Sequence, residues 1–418
     1  MSNSILKGFE SRKFGLLGEK LSHSFSPQIH LALADYPYRL FEVSQDELGI
    51  FMKDNDLAGF NVTIPYKEKV MKYLDSISQR ALSIGAVNTV VKREDGTLFG
   101  DNTDYDGFLY MLSQLGVDIK GRKALVLGSG GASKTCCAVL REQGAEVAVI
   151  SRSGEDNYQN ISKHNDAYLI VNTTPVGMYP DTEKSPVSLD AFDELRGVCD
   201  LIYNPLKTRL LLQAQERGIP CVNGLSMLVS QAKRAAEIFT NTEIGDTVIE
   251  DITRRITDEK ENIVLIGMPG CGKSTVGKIL AKMLSKTFVD TDEEIQKITG
   301  STPAEIITMQ GETEFRKIET EILSKIMKES SLVVATGGGV VTQPCNKNIL
   351  RQNGRVIFIE RDIEKLATDG RPLSVNLCAL YEVRETLYRG FADVSIDGNY
   401  DAESVAKSIK EYLSEGYV

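Results

Sequence analysis

An α/β protein of two or three domains is predicted by three observations. Two apolar, strand-like runs each lead into a glycine-rich loop and then a helical pattern, the order of a parallel strand–helix unit. One loop, "GMPGCGKST" at 267–275, has the spacing of a phosphate-binding loop, although "GSGGAS" at 128–133 already offers another anion site. The 418 residues also exceed one ordinary core of about one to two hundred.

Composition narrows the class. With 42% hydrophobic and 25% charged residues the chain is globular rather than disordered or fibrous. A net charge of -10 excludes a general affinity for nucleic acid or anionic membrane, so any anionic ligand must be held by local donors. The seven cysteines, Cys136 and Cys137 adjacent among them, show no CxxC and no metal-ligand spacing with the three histidines; they read as reduced, mostly buried thiols. "MSNSILKGFE" has no cleavable apolar segment and no run of about eighteen apolar residues occurs, so a soluble, cytoplasmic protein is expected.

In chain order, "FGLLGEKLSHSFSPQIH" comes first. Ser26 before Pro27 reads as an N-cap and first helical residue, and the hydroxyls of Ser24 and Ser26 beside a helix N-terminus suit a carboxylate. "NVTIPYKEKV" with Lys67, "GAVNTVV" with Asn88 and "GDNTDYDG" with Asp104 each set a polar residue at the end of an apolar segment; singly, each is an ordinary turn or solvated charge. Next, Ala124 to Leu127 runs through Gly128, Ser129, Gly130, Gly131 and Ala132 into a helical pattern, then into Val147 to Ile150. This strand, turn, helix and strand form a Rossmann unit whose glycines admit a pyrophosphate to the helix start. Its third fingerprint position is Ser133 rather than glycine or alanine. An NAD site places an acid about 20 residues on; here stand Ser151, Arg152 and Ser153, and a guanidinium pairs with a 2'-phosphate, favouring NADP.

These stretches, followed by "NTTPVGM", "DLIYNPLKT" and "NGLSMLVSQA", closely resemble shikimate dehydrogenase over about residues 12 to 257. The resemblance implies NADPH-dependent reduction of 3-dehydroshikimate to shikimate. It implies that Ser24 and Ser26 bind the carboxylate, that Thr63, Asn88, Tyr203 and Gln231 bind the ring hydroxyls, and that Lys67 and Asp104 are the catalytic pair. Leu201, Gly224 and Met227 would border the cofactor. The segment from Ser153 to "AYLIVN" is shorter than the family's and lacks the pattern of a full helix, leaving Arg152 alone to hold a 2'-phosphate.

The second loop follows an apolar strand, Ile263 to Ile266, and opens a helix with Val276, Ile279, Leu280, Met283 and Leu284 on one face. Its backbone N–H groups from Gly270 through Cys271, Gly272, Lys273 and Ser274 to Thr275 would cradle ATP phosphates, with Lys273 at the β and γ groups and Ser274 on Mg2+. Downstream, "FVDTDEEI", "GETEFRKIE", "VVATGGGVV", "GRPLS" and "ETLYRGFADV" resemble shikimate kinase over residues 262 to about 415. That implies Asp292 as the residue orienting or taking the proton of the 3-hydroxyl, Asp290 supporting the metal, and Arg316 and Arg389 on carboxylate and ring. It also implies that Gly337, Gly338 and Gly339 close over shikimate and that Arg371 is the lid arginine. The lid stretch "EKLATDGRPL" is short and lacks a further basic residue before the RP pair.

The expected modules are a shikimate dehydrogenase-like substrate domain at 1–108 and 228–257, a Rossmann NADP domain at 109–227, and a P-loop, NMP-kinase-like α/β domain at 258–418, with a short charged linker near 258. Two alternatives stay open: a catabolic quinate or shikimate dehydrogenase preferring NAD, against which Arg152 stands, and a non-catalytic sensor, against which Lys67, Asp104, Lys273, Ser274, Asp292 and the absence of a basic arm stand.

Overall fold

The computed structural model describes residues 12–21, 24–366 and 377–415. They form two compact units, one running up to Asn204 and resuming at Thr208–Arg255, the other comprising Pro205–Lys207 and the chain from Ile256. Among the described residues no helix is long and apolar enough to cross a membrane.

The first unit holds two sheets. In the first, β1 (Phe14–Gly18), β2 (Tyr38–Glu42), β3 (Gly59–Val62), β4 (Ser76–Ile77), β5 (Thr89–Lys92) and β6 (Leu98–Asp101) stand in the order β2-β1-β3-β5-β6-β4. β1, β2 and β3 are parallel, whereas β5 runs antiparallel to β3 and β6, pairing Asn61 with Thr89 and Thr89 with Asp101. Because β5 is reversed, the end of β3, the start of β5 and the end of β6 meet at one edge. Thr63, Asn88 and Asp104 follow from that single crossing of strand ends.

The second sheet, all parallel, contains β7 (Lys123–Leu127), β8 (Glu146–Ile150), β9 (Leu169–Asn172), β10 (Gly197–Asp200) and β11 (Cys221–Asn223) in the order β11-β10-β9-β7-β8. The apolar run Ala124–Leu127 is fully buried, as a central parallel strand must be. Connections leave β7 and β9 in opposite directions, which opens the crevice where doubly wound sheets bind ligands. Between β8 and β9 only the 3-10 turn Ile161–His164 stands in place of a crossover helix, as the short sequence there predicts.

The helices Asp104–Ser113 and Leu225–Thr240 pack closely. A Cβ on Gly107 would lie 2.6 Å from the Met227 carbonyl oxygen, so glycine there lets the backbones approach. The next helix, Thr247–Lys260, differs from the expected charged linker: it continues to Lys260, one residue short of the next strand. Ile249, Ile252 and Ile256 recur on its buried side, and that three-to-four-residue spacing carries the helix through its charged surface.

The second unit is one parallel sheet, β12 (Asn262–Ile266), β13 (Thr287–Asp290), β14 (Leu332–Ala335), β15 (Gly354–Glu360) and β16 (Val394–Asp397), in the order β13-β14-β12-β15-β16. The helix Lys273–Leu284 buries Val276 and Leu280 in its core and packs Ile279, Met283 and Leu284 at its margin.

Candidate active sites

In the first unit a cavity of about 510 Å³ is lined by Ser24, Ser26, Thr63, Lys67, Asn88, Asp104, Tyr203 and Gln231 together with Ala132, Leu201, Gly224 and Met227. Its polar centre is built at the meeting strand ends. Asp104 is the first residue of the helix Asp104–Ser113. Asp104 Oδ2 accepts from Lys67 Nζ at 2.5 Å, while Oδ1 accepts from Asn88 Nδ2 at 2.9 Å. The Asn88 carbonyl accepts from the Thr103 backbone at 2.7 Å and its amide also reaches Gln231 Oε1 at 3.4 Å. Asn88 thereby aims the carboxylate at the ammonium. Burial pushes the Tyr203 phenol above its ordinary pKa, keeping it a neutral hydrogen-bonding group.

The serines behave differently from a simple cap. Phe25 precedes the helix Ser26–Leu33 as its N-cap, in a helical conformation and without a side-chain bond. Ser24 Oγ instead accepts from the Ser26 backbone at 3.2 Å, a local turn bond. Ser26 is thus the first helical residue, and its side chain lines the cavity rather than capping the helix.

The first glycine loop has a cradle's shape. Gly128 adopts φ +109°, and a Cβ there would meet Thr173 Oγ1 at 2.6 Å, whereas the side of Gly130 and Gly131 where a Cβ would stand is open. The helix Gly131–Glu142 has no side-chain cap at Gly130, leaving its first N–H groups to a ligand. Ser133, the departure from the fingerprint, donates its hydroxyl to the Gly128 carbonyl at 2.7 Å and so closes the turn from inside. The Gly128 backbone N–H bonds to Ile150, placing Ser151 and the exposed Arg152 and Ser153 directly beyond the neighbouring strand. Gly224 is required by contact, since a Cβ would lie 2.0 Å from the Leu201 oxygen.

In the second unit a cavity of about 360 Å³ is lined by Gly270, Gly272, Lys273, Ser274, Thr275, Asp290, Asp292, Arg316 and Gly337 to Gly339. Cys271 lies buried beneath the loop. Gly270 and Gly272 take φ +84° and +97°, which glycine alone adopts readily. The buried Lys273 ammonium donates to the carbonyls of Gly267 and Met268 at 2.8 and 2.9 Å. Ser274 Oγ donates to Asp290 Oδ2 at 2.6 Å, and Asp290 Oδ1 caps the next helix by accepting from the Asp292 backbone at 3.0 Å. Arg316 donates to Glu319 at 2.8 Å and to Glu312 at 2.9 Å; a Cβ on Gly339 would collide with the Arg316 guanidinium.

One assignment is corrected. Arg389 does not line this cavity; it pairs at the exposed surface with Glu360 and Glu385. Arg384, five residues earlier on the helix Leu377–Phe391, is buried and lines the cavity, donating to the Gly338 carbonyl at 3.2 Å. The overlooked signal is the i,i+4 pair Arg384 and Tyr388, both of which reach Gly338. Glu319 was also missed: its Oε1 is buried without a hydrogen bond, and burial holds its carboxyl above the ordinary value against the pull of Arg316. Arg371 lies outside the described residues.

Fold and sites define an α/β oxidoreductase followed on the same chain by a P-loop kinase. The family model "Shikimate dehydrogenase substrate binding domain" matches residues 16–90 and that of "Shikimate kinase" residues 269–414. The chain is 40% identical over 261 residues to shikimate dehydrogenase (NADP(+)) of Clostridium perfringens (strain SM101 / Type A), spanning 57% of this chain and 96% of that protein. The enzyme of the same name from Caldicellulosiruptor bescii is 41% identical, over 54% and 89% of the two chains. Among solved structures, a chorismate mutase/shikimate 5-dehydrogenase fusion from Clostridium acetobutylicum matches with TM-score 0.55 and 39% identity, covering 59% of this chain and 96% of its own. The Thermus thermophilus shikimate 5-dehydrogenase in complex with NADP(H) and shikimate matches with TM-score 0.54 and 35% identity, covering 58% and 99%. This chain belongs to the shikimate dehydrogenase family and carries a shikimate kinase domain behind it: it is a bifunctional shikimate-pathway enzyme.

Proposed function

We propose that the first unit reduces 3-dehydroshikimate to shikimate with NADPH and that the second transfers phosphate from ATP to the 3-hydroxyl of shikimate with Mg2+. The observation that carries the reading is the Lys67–Asp104 contact of 2.5 Å inside a cavity whose lining also includes Ala132 of the glycine loop, Leu201, Gly224 and Met227. Reduction of a ketone builds negative charge on its oxygen, and an ammonium beside it stabilises that charge and delivers a proton. Asp104 holds Lys67 in place, and Asn88 holds Asp104 in place. The hydroxyls of Ser24 and Ser26 hold the carboxylate, while Thr63, Asn88, Tyr203 and Gln231 orient the ring. Bound NADPH supplies the hydride. The open side of Gly130 and Gly131 and the uncapped helix behind them fit its pyrophosphate, and Arg152 meets its 2'-phosphate, which argues against an NAD-preferring quinate enzyme. Residues 1–108 with 228–257 are taken as the substrate lobe, 109–227 as the cofactor lobe and 258–418 as the kinase.

In the kinase, bound ATP supplies the γ-phosphoryl group. The buried Lys273, whose oxygen partners are neutral carbonyls, fits the phosphates, as do the loop N–H groups. Ser274 and Asp290 present hard oxygens within 2.6 Å of each other, a donor set suited to Mg2+ that keeps part of its water shell. Asp292 takes or orients the proton of the 3-hydroxyl, Arg316 and Arg384 hold the carboxylate, and the unbonded Glu319 oxygen accepts from a ring hydroxyl.

The test is to mix purified protein with 3-dehydroshikimate, NADPH, ATP and Mg2+ and follow products by mass. Shikimate and then shikimate 3-phosphate are expected, and leaving out ATP should stop the sequence at shikimate. Failure to form shikimate from 3-dehydroshikimate and NADPH would overturn the first half; failure to phosphorylate added shikimate would overturn the second.

A further inference from the structure

Two neighbouring strands of the second sheet end in polar side chains that point into the fold rather than into the cavity. Asn172 ends β9 and Asp200 ends β10, and both are 0% exposed. Asp200 Oδ1 accepts from Asn172 Nδ2 at 2.9 Å and from the Ile202 backbone at 3.1 Å; Oδ2 accepts from Thr208 Oγ1 at 2.6 Å. Asn172 is bonded just as fully. Its Oδ1 accepts from the Thr174 backbone and hydroxyl at 3.0 and 2.7 Å, and its own carbonyl accepts from the Leu201 backbone at 3.0 Å.

One buried amide–carboxylate pair therefore holds two loops. The loop after β9 carries Thr173 and Thr174, both of which lie against Gly128 of the dinucleotide loop. The loop after β10 carries Leu201 and Tyr203 into the substrate cavity. A buried carboxylate without a cation is costly to keep, and a hydrophobic or amide residue could fill the same space. Retaining it makes sense if its three bonds set a geometry that the reaction uses.

We propose that Asp200 is a positioning residue for the reduction: through Ile202 and Thr208 it sets Leu201 and Tyr203 against nicotinamide and substrate, and through Asn172 it keys that loop to the dinucleotide loop. This rests on reading the cavity as the dehydrogenase site. Burial drives the Asp200 carboxyl up to about 7, against the hydrogen bonds of Thr208, Ile202 and Asn172. No charged group from β9, β11 or the helix Arg209–Glu216 contributes to that shift; the titratable group beside it is the thiol of Cys199 on the same strand. The folded value lies above the ordinary 3.8, so the native state holds the proton more tightly. Its stabilising effect is complete below the unfolded pKa and is lost as pH rises through about 7. Asparagine cannot ionise, yet its oxygen can keep the Asn172 and Ile202 bonds and its amide can donate to Thr208.

The test uses the whole chain, with kinase activity as an internal measure of folded protein in the second unit and a cooperative thermal transition followed by circular dichroism as the measure for the first. Wild-type turnover settles the reading of the cavity before any variant is compared. Asp200→Ala should lower dehydrogenase kcat/KM on the order of 10- to 100-fold, the usual effect of misplacing a site group by about 1 Å. Asp200→Asn should restore most of that loss and flatten the fall in thermal midpoint between the ordinary 3.8 and about 7, the window in which the native state binds the proton and the unfolded state does not. In a Tyr203→Phe background the Asp200→Ala loss should shrink, because both changes act through one side chain. Full additivity with Tyr203→Phe, or an Asp200→Ala variant within about threefold of wild type, would overturn the proposal. Should Asp200→Ala fail to fold, Thr208→Val removes one hydroxyl outside the cavity and carries the test: unchanged kcat/KM there defeats the idea equally.

Discussion

Arg384 and Tyr388 stand four residues apart on the helix Leu377–Phe391 and so face the same way, toward Gly338. Arg389 is displaced by about 140° around that helix from Arg384 and ends among Glu360 and Glu385. A charge-assisted hydrogen bond is worth about 1.5–3 kcal/mol. Arg384→Ala should accordingly raise the kinase KM for shikimate by roughly 10- to 100-fold, while Arg389→Ala, an exposed pair, should stay within about threefold. Steady-state rates with shikimate varied decide it, and the reverse ranking would restore Arg389 to the site. On the dehydrogenase side, Lys67→Ala should lower kcat by roughly 100- to 10,000-fold, the range of a positioned proton donor, and leave phosphorylation of added shikimate untouched. A variant within about threefold of wild type would take Lys67 out of the mechanism. The stretch "ETLYRGFADV" contains Arg389 alone, with Arg384 one residue before it, and the side on which an arginine emerges depends on helix phase, which that stretch by itself does not fix.

At the level of elements, the glycine loops were legible because their chemistry resides in the backbone: positive φ at Gly128, Gly270 and Gly272 and open helix starts need no distant partner. The capping role of Ser26 was misread for the opposite reason, since the turn made by Ser24 begins the helix one residue earlier than the serine–proline pair suggests. The missing crossover helix between β8 and β9 was also readable, being a matter of length, and it bears on cofactor choice. With only Ile161–His164 as regular structure in that connection, Arg152 is the one cation directly after β8. NADPH should be preferred over NADH, and Arg152→Asp should reverse or abolish the preference by setting a carboxylate against the 2'-phosphate. Equal kcat/KM for the two cofactors in the wild-type protein would refute this.

For the molecule as a whole, a net charge of -10 sets up a field that repels rather than guides an anionic intermediate. Shikimate carries one carboxylate and should pass between the two activities by free diffusion. Starting from 3-dehydroshikimate, shikimate 3-phosphate should appear after a lag equal to that calculated from the separate rates. Adding an Asp292→Asn form, with its shikimate cavity otherwise intact, should lengthen the lag by binding released shikimate. A coupled time course without a lag, indifferent to that competitor, would show transfer that the charge argument misses. Two catalytic chemistries on one chain, the loops for their two nucleotides and the residue types of the Lys67–Asp104 and Ser274–Asp290 pairs could all be read in linear order, because each is a local arrangement of backbone freedom and functional groups. The choice of Arg384 over Arg389, the unbonded Glu319 oxygen and the buried Asn172–Asp200 lock follow from packing instead: burial and partner geometry join residues up to 28 positions apart in the case of Asn172 and Asp200, and no local pattern encodes which polar groups will be left facing one another once water is gone.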